Sequence, residues 1–272
     1  MLGKCIKNEI INRSGKVLTL SAGALFFSVI VLLFGKLSNA FNNTYMKIAF
    51  GIIVTVYVFA MIAIVSMQVF IPYTDFRERM YKDQGYLTHT LPVKMSTLII
   101  SRMIVDVITV TILAIIYPIC ICIATGNFEI FSDIIELISE LLKATGNAAD
   151  RSLLILDGIL FVILMWLSVL FSIWCVNMAY SFGHAFSNSK RLISVVSYVV
   201  LIISVMIFGE LIGYISHAAG IDEMFIKSVD SIGSTLGQAS VVLALANIVE
   251  LLGVALLAFG TGWLCKNKLN LE

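Results

Sequence analysis

Glu250 and Asn247 combine a reactive type with a costly place. They lie three residues apart, on one face of a helix, near the middle of the apolar run Val241–Leu264. A charged side chain at the centre of a bilayer costs roughly 3 kcal/mol or more, so an acid kept there needs a reason. Two readings stand. The pair is a polar patch lining a substrate path or subunit interface, or Glu250 is a protonated or paired acid that locks two helices together. Glu210 is a further candidate, sharing a face with Gly213 and His217 near the outer end of the run Leu192–Ile215. Asp157 lies one turn from the outer end of its own run. Arg102 and Asp106 have the i,i+4 spacing of an ion pair at the membrane interface.

Other chemistry is hard to find. The chain has no H-E-x-x-H metal helix and no G-x-S-x-G nucleophile elbow. Gly15-Lys16 and Gly35-Lys36 lack the earlier glycine and the following Ser or Thr of a phosphate-binding loop. The expectation is therefore a chain that is not itself an enzyme, holds no metal or cofactor, and relies on another subunit if it uses ATP. His89, His184 and His217 fall in loops on opposite sides of the membrane, so they cannot share a site. Cys120-x-Cys122 lacks zinc spacing, and Cys175 and Cys265 sit in or beside apolar runs, which favours packing over ligation.

The elements that must position these residues are six apolar runs, at roughly Val17–Phe34, Ile48–Ile71, Thr97–Ala124, Leu153–Tyr180, Leu192–Ile215 and Val241–Leu264. Each reaches the 18 to 20 or so residues a helix needs to cross a hydrocarbon core of about 30 Å. Only helices pair their own backbone groups inside lipid without alternating strands. The chain is 60% hydrophobic and 13% charged, about half the charge of a soluble domain. The fold class expected is an all-α membrane protein with six transmembrane helices.

Charge sets the orientation. Lys4, Lys7, Arg13, Lys16, Arg77, Arg79, Lys82, Lys94, Lys190, Arg191, Lys266 and Lys268 fall on one side, and most loop acids fall on the other. The positive-inside rule places both termini in the cytoplasm, as an even span count requires. The run from Val17 exceeds the 7 to 15 residues or so of a signal-peptide core, so cleavage is not expected. Residues 1–16 read as a basic amphipathic helix in the inner interface, residues 17–264 as one membrane domain, and residues 265–272 as a cytoplasmic tail.

Three loops stand out. In the inner loop 72–95, Pro72 should end the second span. Asp75 and Glu78 should open a short helix to about Gln84, offering Phe76, Met80 and Tyr81 as contacts. In the outer loop, acids at Glu129, Asp133, Glu136 and Glu140 alternate with apolar residues at helical spacing, predicting a surface helix over 129–143. The outer loop 217–240 is weakly apolar and contains Gly220, Gly233 and Gly237.

This layout resembles the membrane subunit of type-2 ABC exporters. The match is strongest at Gly85-Tyr86-Leu87-Thr88-His89-Thr90-Leu91-Pro92-Val93-Lys94-Met95-Ser96, which is similar to a "TLPV" stretch leading into the third span of such permeases. A second match is the loop Ser181–Arg191. The resemblance implies that residues 1–16 are a connecting helix. It also implies that Asp75, Phe76, Arg77, Glu78, Met80 and Tyr81 belong to a coupling helix docking onto a separate ATP-binding cassette subunit. Two permeases, alike or homologous, would pair in a bacterial plasma membrane, with ATP and magnesium held by the partner. An amphipathic or hydrophobic cargo (peptide, lipid or drug) would leave the cell. Two other functions fit the residues: an ion- or proton-coupled carrier using Glu250, and a non-transporting scaffold or immunity partner.

Overall fold

The structure is a computed structural model that describes residues 2–41, 43–82, 85, 90, 93–126, 132, 136, 139–140, 148–185, 190–218 and 235–267. The described residues are helical and contain no strand. Six long helices carry the chain: α1 (Leu2–Phe41), α2 (Thr44–Met80), α3 (Met95–Thr125), α4 (Ala148–His184), α5 (Lys190–Ala218) and α6 (Thr235–Asn267). Five of them, all but α5, are long and apolar enough to cross a membrane, and α5 contains a shorter apolar stretch, Leu192–Ile207. Large apolar side chains such as Phe59 on α2, Met206 on α5 and Phe259 on α6 are exposed. So much uncovered apolar surface is costly in water and suits lipid.

The chain divides into two compact units, Met1–Pro72 with Ile100–Glu140, and Tyr73–Ile99 with Leu141–Glu272. In the first unit, α1 runs antiparallel to α2: Ser28 Oγ and Tyr57 Oη share a hydrogen bond of 3.0 Å, and Gly35 packs against the Phe50 ring. The Tyr57 and Tyr117 hydroxyls donate across the α2–α3 seam to the carbonyls of Cys120 and Ile64, each at 3.3 Å. α1 and α3 run parallel, with Glu9 meeting Arg102, Arg13 meeting Asp106, and Leu32 meeting Gly126. Gly126 follows α3 at a φ of 66°. Only glycine takes that left-handed conformation readily, and a Cβ there would lie 2.7 Å from Leu32.

In the second unit, α4 and α6 run parallel. Asp157 meets Ser240, Ser168 meets Glu250, Phe171 packs on Gly253 and Met178 on Gly260. α5 runs antiparallel to α4. Gly183 sits against the Ser194 backbone, where a Cβ would come within 2.7 Å of its Cα. Further along, Met178, Ala179 and Phe182 face Ile193, Val196 and Val200 across an apolar cleft of about 500 Å³.

Two boundaries differ from the sequence reading. Residues 2–16 are not a separate helix but the start of α1, which has no break between Lys16 and Val17. Pro72 does not end α2, which continues to Met80. A proline removes one backbone donor, and a neighbour-packed membrane helix tolerates that loss; Pro72 is fully buried. Asp75 and Glu78 therefore close a helix instead of opening one. The outer helix expected at 129–143, the loop 217–240 and the tail 265–272 lie largely outside the described residues, as does the stretch from Tyr86 to Pro92.

Candidate functional site

Three polar clusters are built into the bundle. The first closes the end of the second unit. Tyr73, on the last turns of α2, meets the Tyr180 ring edge-on with centroids 5.4 Å apart. Tyr81, in the turn after α2, lies 5.4 Å from Tyr180 and 4.5 Å from the His184 ring. Phe76 tilts against Tyr81 at 5.9 Å. His184 Nδ1 is 3.1 Å from the Tyr180 carbonyl oxygen; that oxygen can only accept, so Nδ1 carries the hydrogen. The Tyr81 hydroxyl shares a hydrogen bond of 3.2 Å with Cys265 Sγ near the end of α6. Burial pushes the Tyr81 phenol well above its ordinary value, and Cys265 pushes it the same way. Pairs of this kind each contribute about 0.5–1.5 kcal/mol beyond burial. Together they tie the segment after α2 to the ends of α4 and α6.

This packing sets the exposure of the residues expected to contact a partner. Asp75, Phe76, Arg79, Met80 and Tyr81 are buried, Phe76 and Tyr81 to 1% exposure and Met80 to 0%. They pack beneath the segment that follows α2. Glu78 is exposed and Arg77 half-buried. The Arg77 guanidinium lies 6.0 Å from the Tyr180 ring, and its Nε has no hydrogen-bond acceptor among the described residues. The reason is periodicity: Phe76, Met80 and their neighbours Tyr73 and Asp75 share the inward face of the last α2 turns, leaving positions 77 and 78 to the outside.

The second cluster is a polar row between α4 and α6. Ser240 donates to Asp157. Asn247 Nδ2 donates to the Leu160 carbonyl at 3.0 Å and to the Leu243 carbonyl at 2.8 Å. Ser168 donates to Glu250 Oε1 at 2.6 Å. The structure thus brings Asn247 and Glu250 into one helix seam, and adds Asp157, Ser168 and Ser240, which periodicity alone did not join to them. Glu210 is elsewhere, exposed on α5.

The third cluster is ionic. Arg13 Nη1 donates to Asp106 Oδ1 at 2.5 Å, and Arg102 Nε is 3.3 Å from Glu9 Oε1. All four side chains are more than nine-tenths buried. Arg102 and Asp106 thus each have a partner on α1, and Arg13 faces α3 instead of lipid headgroups. An i,i+4 pair is worth only a few tenths of a kcal/mol. A buried carboxylate needs a closer and better aligned guanidinium, which α1 supplies.

Comparison with known families, curated proteins and solved structures returns no match for this chain.

Proposed function

We propose that this chain is the permease subunit of an ATP-driven exporter. In this reading six helices cross a bacterial plasma membrane with both termini inside. A second permease subunit completes the path, and separate ATP-binding subunits supply the energy. One observation carries the reading: the cluster of Tyr73, Tyr81, Tyr180 and His184. It joins the α2 end and following turn to the last turns of α4, where His184 belongs to the second stretch that resembles type-2 exporters. A push on this block would reach α4 directly and α6 through Cys265.

The contact with an ATPase then falls on Arg77, Glu78 and the residues that follow, while Phe76, Met80 and Tyr81 transmit from beneath. Glu78, exposed on the outer face of the last α2 turn, suits a contact from another chain. The sixth crossing is supported by strand-like logic applied to helices. α4 and α6 are parallel, so the chain must return along α4 between them, and α5 runs in that direction. Its 29 residues span about 43 Å at 1.5 Å each, more than a hydrocarbon core of about 30 Å. A largely apolar bundle favours an amphipathic or hydrophobic cargo.

The test is co-purification of the tagged full chain from its native cells. An ATP-hydrolysing chain should be retained, and Arg77→Ala with Glu78→Ala should reduce both retention and efflux. Retention of no ATPase, together with unchanged efflux in the double variant, sinks the proposal.

A further inference from the structure

α4 and α5 touch at one point and leave a cleft beside it. At Gly183 the two backbones meet, with the Ser194 Cα within 2.7 Å of where a Cβ would stand. The apolar cleft of about 500 Å³ lies between Met178 and Phe182 on α4 and Ile193, Val196, Val200 and Leu201 on α5. Its volume is that of a small-ligand site. Phe182, Val196 and Val200 are 44%, 50% and 54% exposed, so the cleft opens to the outside of the hairpin. Left unfilled, its walls would forfeit their dispersion contacts.

The walls indicate the kind of occupant. Membrane helices approach one another closely through small residues. Here the lining is mostly branched, aromatic or long, and Ala179 and Ser197 are its small members. Met178 adds a flexible side chain that adapts to irregular shapes. Such walls suit a thin, flexible chain better than a second helix. From Ile193 to Leu201 α5 rises about 12 Å, most of the depth of one leaflet, which is half of a core of about 30 Å.

Apolarity alone does not choose among lipids, because every tail in the bilayer is equally apolar. Charge does. Between Asp157 and Glu210 the chain has no acid, and its only Lys or Arg residues are Lys190 and Arg191. Both belong to the first turn of α5, immediately before the apolar stretch Leu192–Ile207. That junction is the level of lipid headgroups. Helical register puts position 190 at the head of the stripe 193, 197 and 200–201 that lines the cleft.

We infer that the α4–α5 cleft holds one anionic phospholipid, with a tail in the cleft and its phosphate headgroup at the first turn of α5. The two basic residues select the headgroup, and the cleft fixes the tail. The site belongs to the second unit alone and stands whether or not an ATPase binds this chain.

The full chain, purified in detergent and freed of lipid, is given phosphatidylglycerol or phosphatidylcholine with identical tails. Retention is read by native mass spectrometry. One phosphatidylglycerol per chain should stay bound and raise the melting temperature by several degrees, with phosphatidylcholine held far less. Each basic residue at an anionic surface strengthens attraction roughly fivefold. Lys190→Gln with Arg191→Gln should therefore weaken phosphatidylglycerol retention by about 25-fold. Val196→Trp fills the cleft and should expel the lipid. Val195→Trp, at an exposed neighbour that does not line the cleft, should leave it bound. The comparison of two lipids on the wild type needs no variant, so a misfolded mutant cannot hide the answer. Equal retention of both lipids overturns the proposal, as does phosphatidylglycerol retention that Val196→Trp leaves unchanged. A chain that purifies as a lipid-free dimer also overturns it and puts a neighbouring helix in the cleft.

Discussion

Arg13 and Asp106 show how much a pair of residues can hold. Both are buried, and Asp106 Oδ2 has no donor among the described residues, so the close Arg13 contact matters to the buried carboxylate. Removing one partner leaves the other charge stranded, a loss of about 3–5 kcal/mol. Asp106→Ala should therefore lower the melting temperature sharply. Exchanging the two, Arg13→Asp with Asp106→Arg, should recover part of that loss, and a double-mutant cycle would measure the coupling. Full additivity of the two single changes would show that they do not interact. Gly183 makes a different point. A methyl group there meets the Ser194 backbone at 2.7 Å, which only a shift of α5 can relieve. Gly183→Ala should cost about 1–3 kcal/mol, read as a fall in melting temperature. The ionic partners were not legible in the sequence because they are 93 residues apart. Local spacing exposes Arg102 beside Asp106, while the geometry that decides the pairing belongs to another helix.

At the scale of elements, the hydrophobic runs locate the middle of every helix, because lipid crossing demands length and apolarity whatever the neighbours are. They do not locate the ends. α2 passes Pro72 and stops at Met80 because Phe76, Met80 and Tyr81 have a cluster to enter, and that cluster includes Tyr180 and His184 from far along the chain. Composition gave no sign of it. His184→Ala would leave a void among these rings and should destabilise the second unit by about 2–4 kcal/mol. Limited proteolysis is expected to cut faster between residues 82 and 94 in this variant, and an unchanged cleavage rate would mean the rings do not tether that segment. Tyr81 adds a pH dependence. Its phenol stays protonated in the fold to higher pH than in the unfolded chain, where ionisation begins near pH 10. Above that pH the folded form binds more protons, so stability falls as pH rises. Melting temperatures between about pH 9 and 11 should drop more steeply in wild type than in Tyr81→Phe.

At the scale of the whole molecule, the proposed topology can be read with thiol chemistry. Cys120, Cys122, Cys175 and Cys265 are buried and Cys5 is partly so, which leaves a quiet background. With a membrane-impermeant maleimide on intact cells, Lys36→Cys should label at once, and Lys94→Cys only after the cells are opened. Labelling of Lys94→Cys from outside would falsify the inner placement of that loop. The parallel seam of α4 and α6 has a temporal side as well. Ser168 and Glu250 are separated by 82 residues. At about 5–20 residues per second, α4 leaves the ribosome roughly 4 to 16 seconds before its mate. During that interval Asp157 and Ser168 face whatever is at hand, water in the insertion channel, lipid headgroups or a chaperone. Insertion of α4 is then provisional until translation delivers α6, and a ribosome stalled after α5 would strand it unmatched.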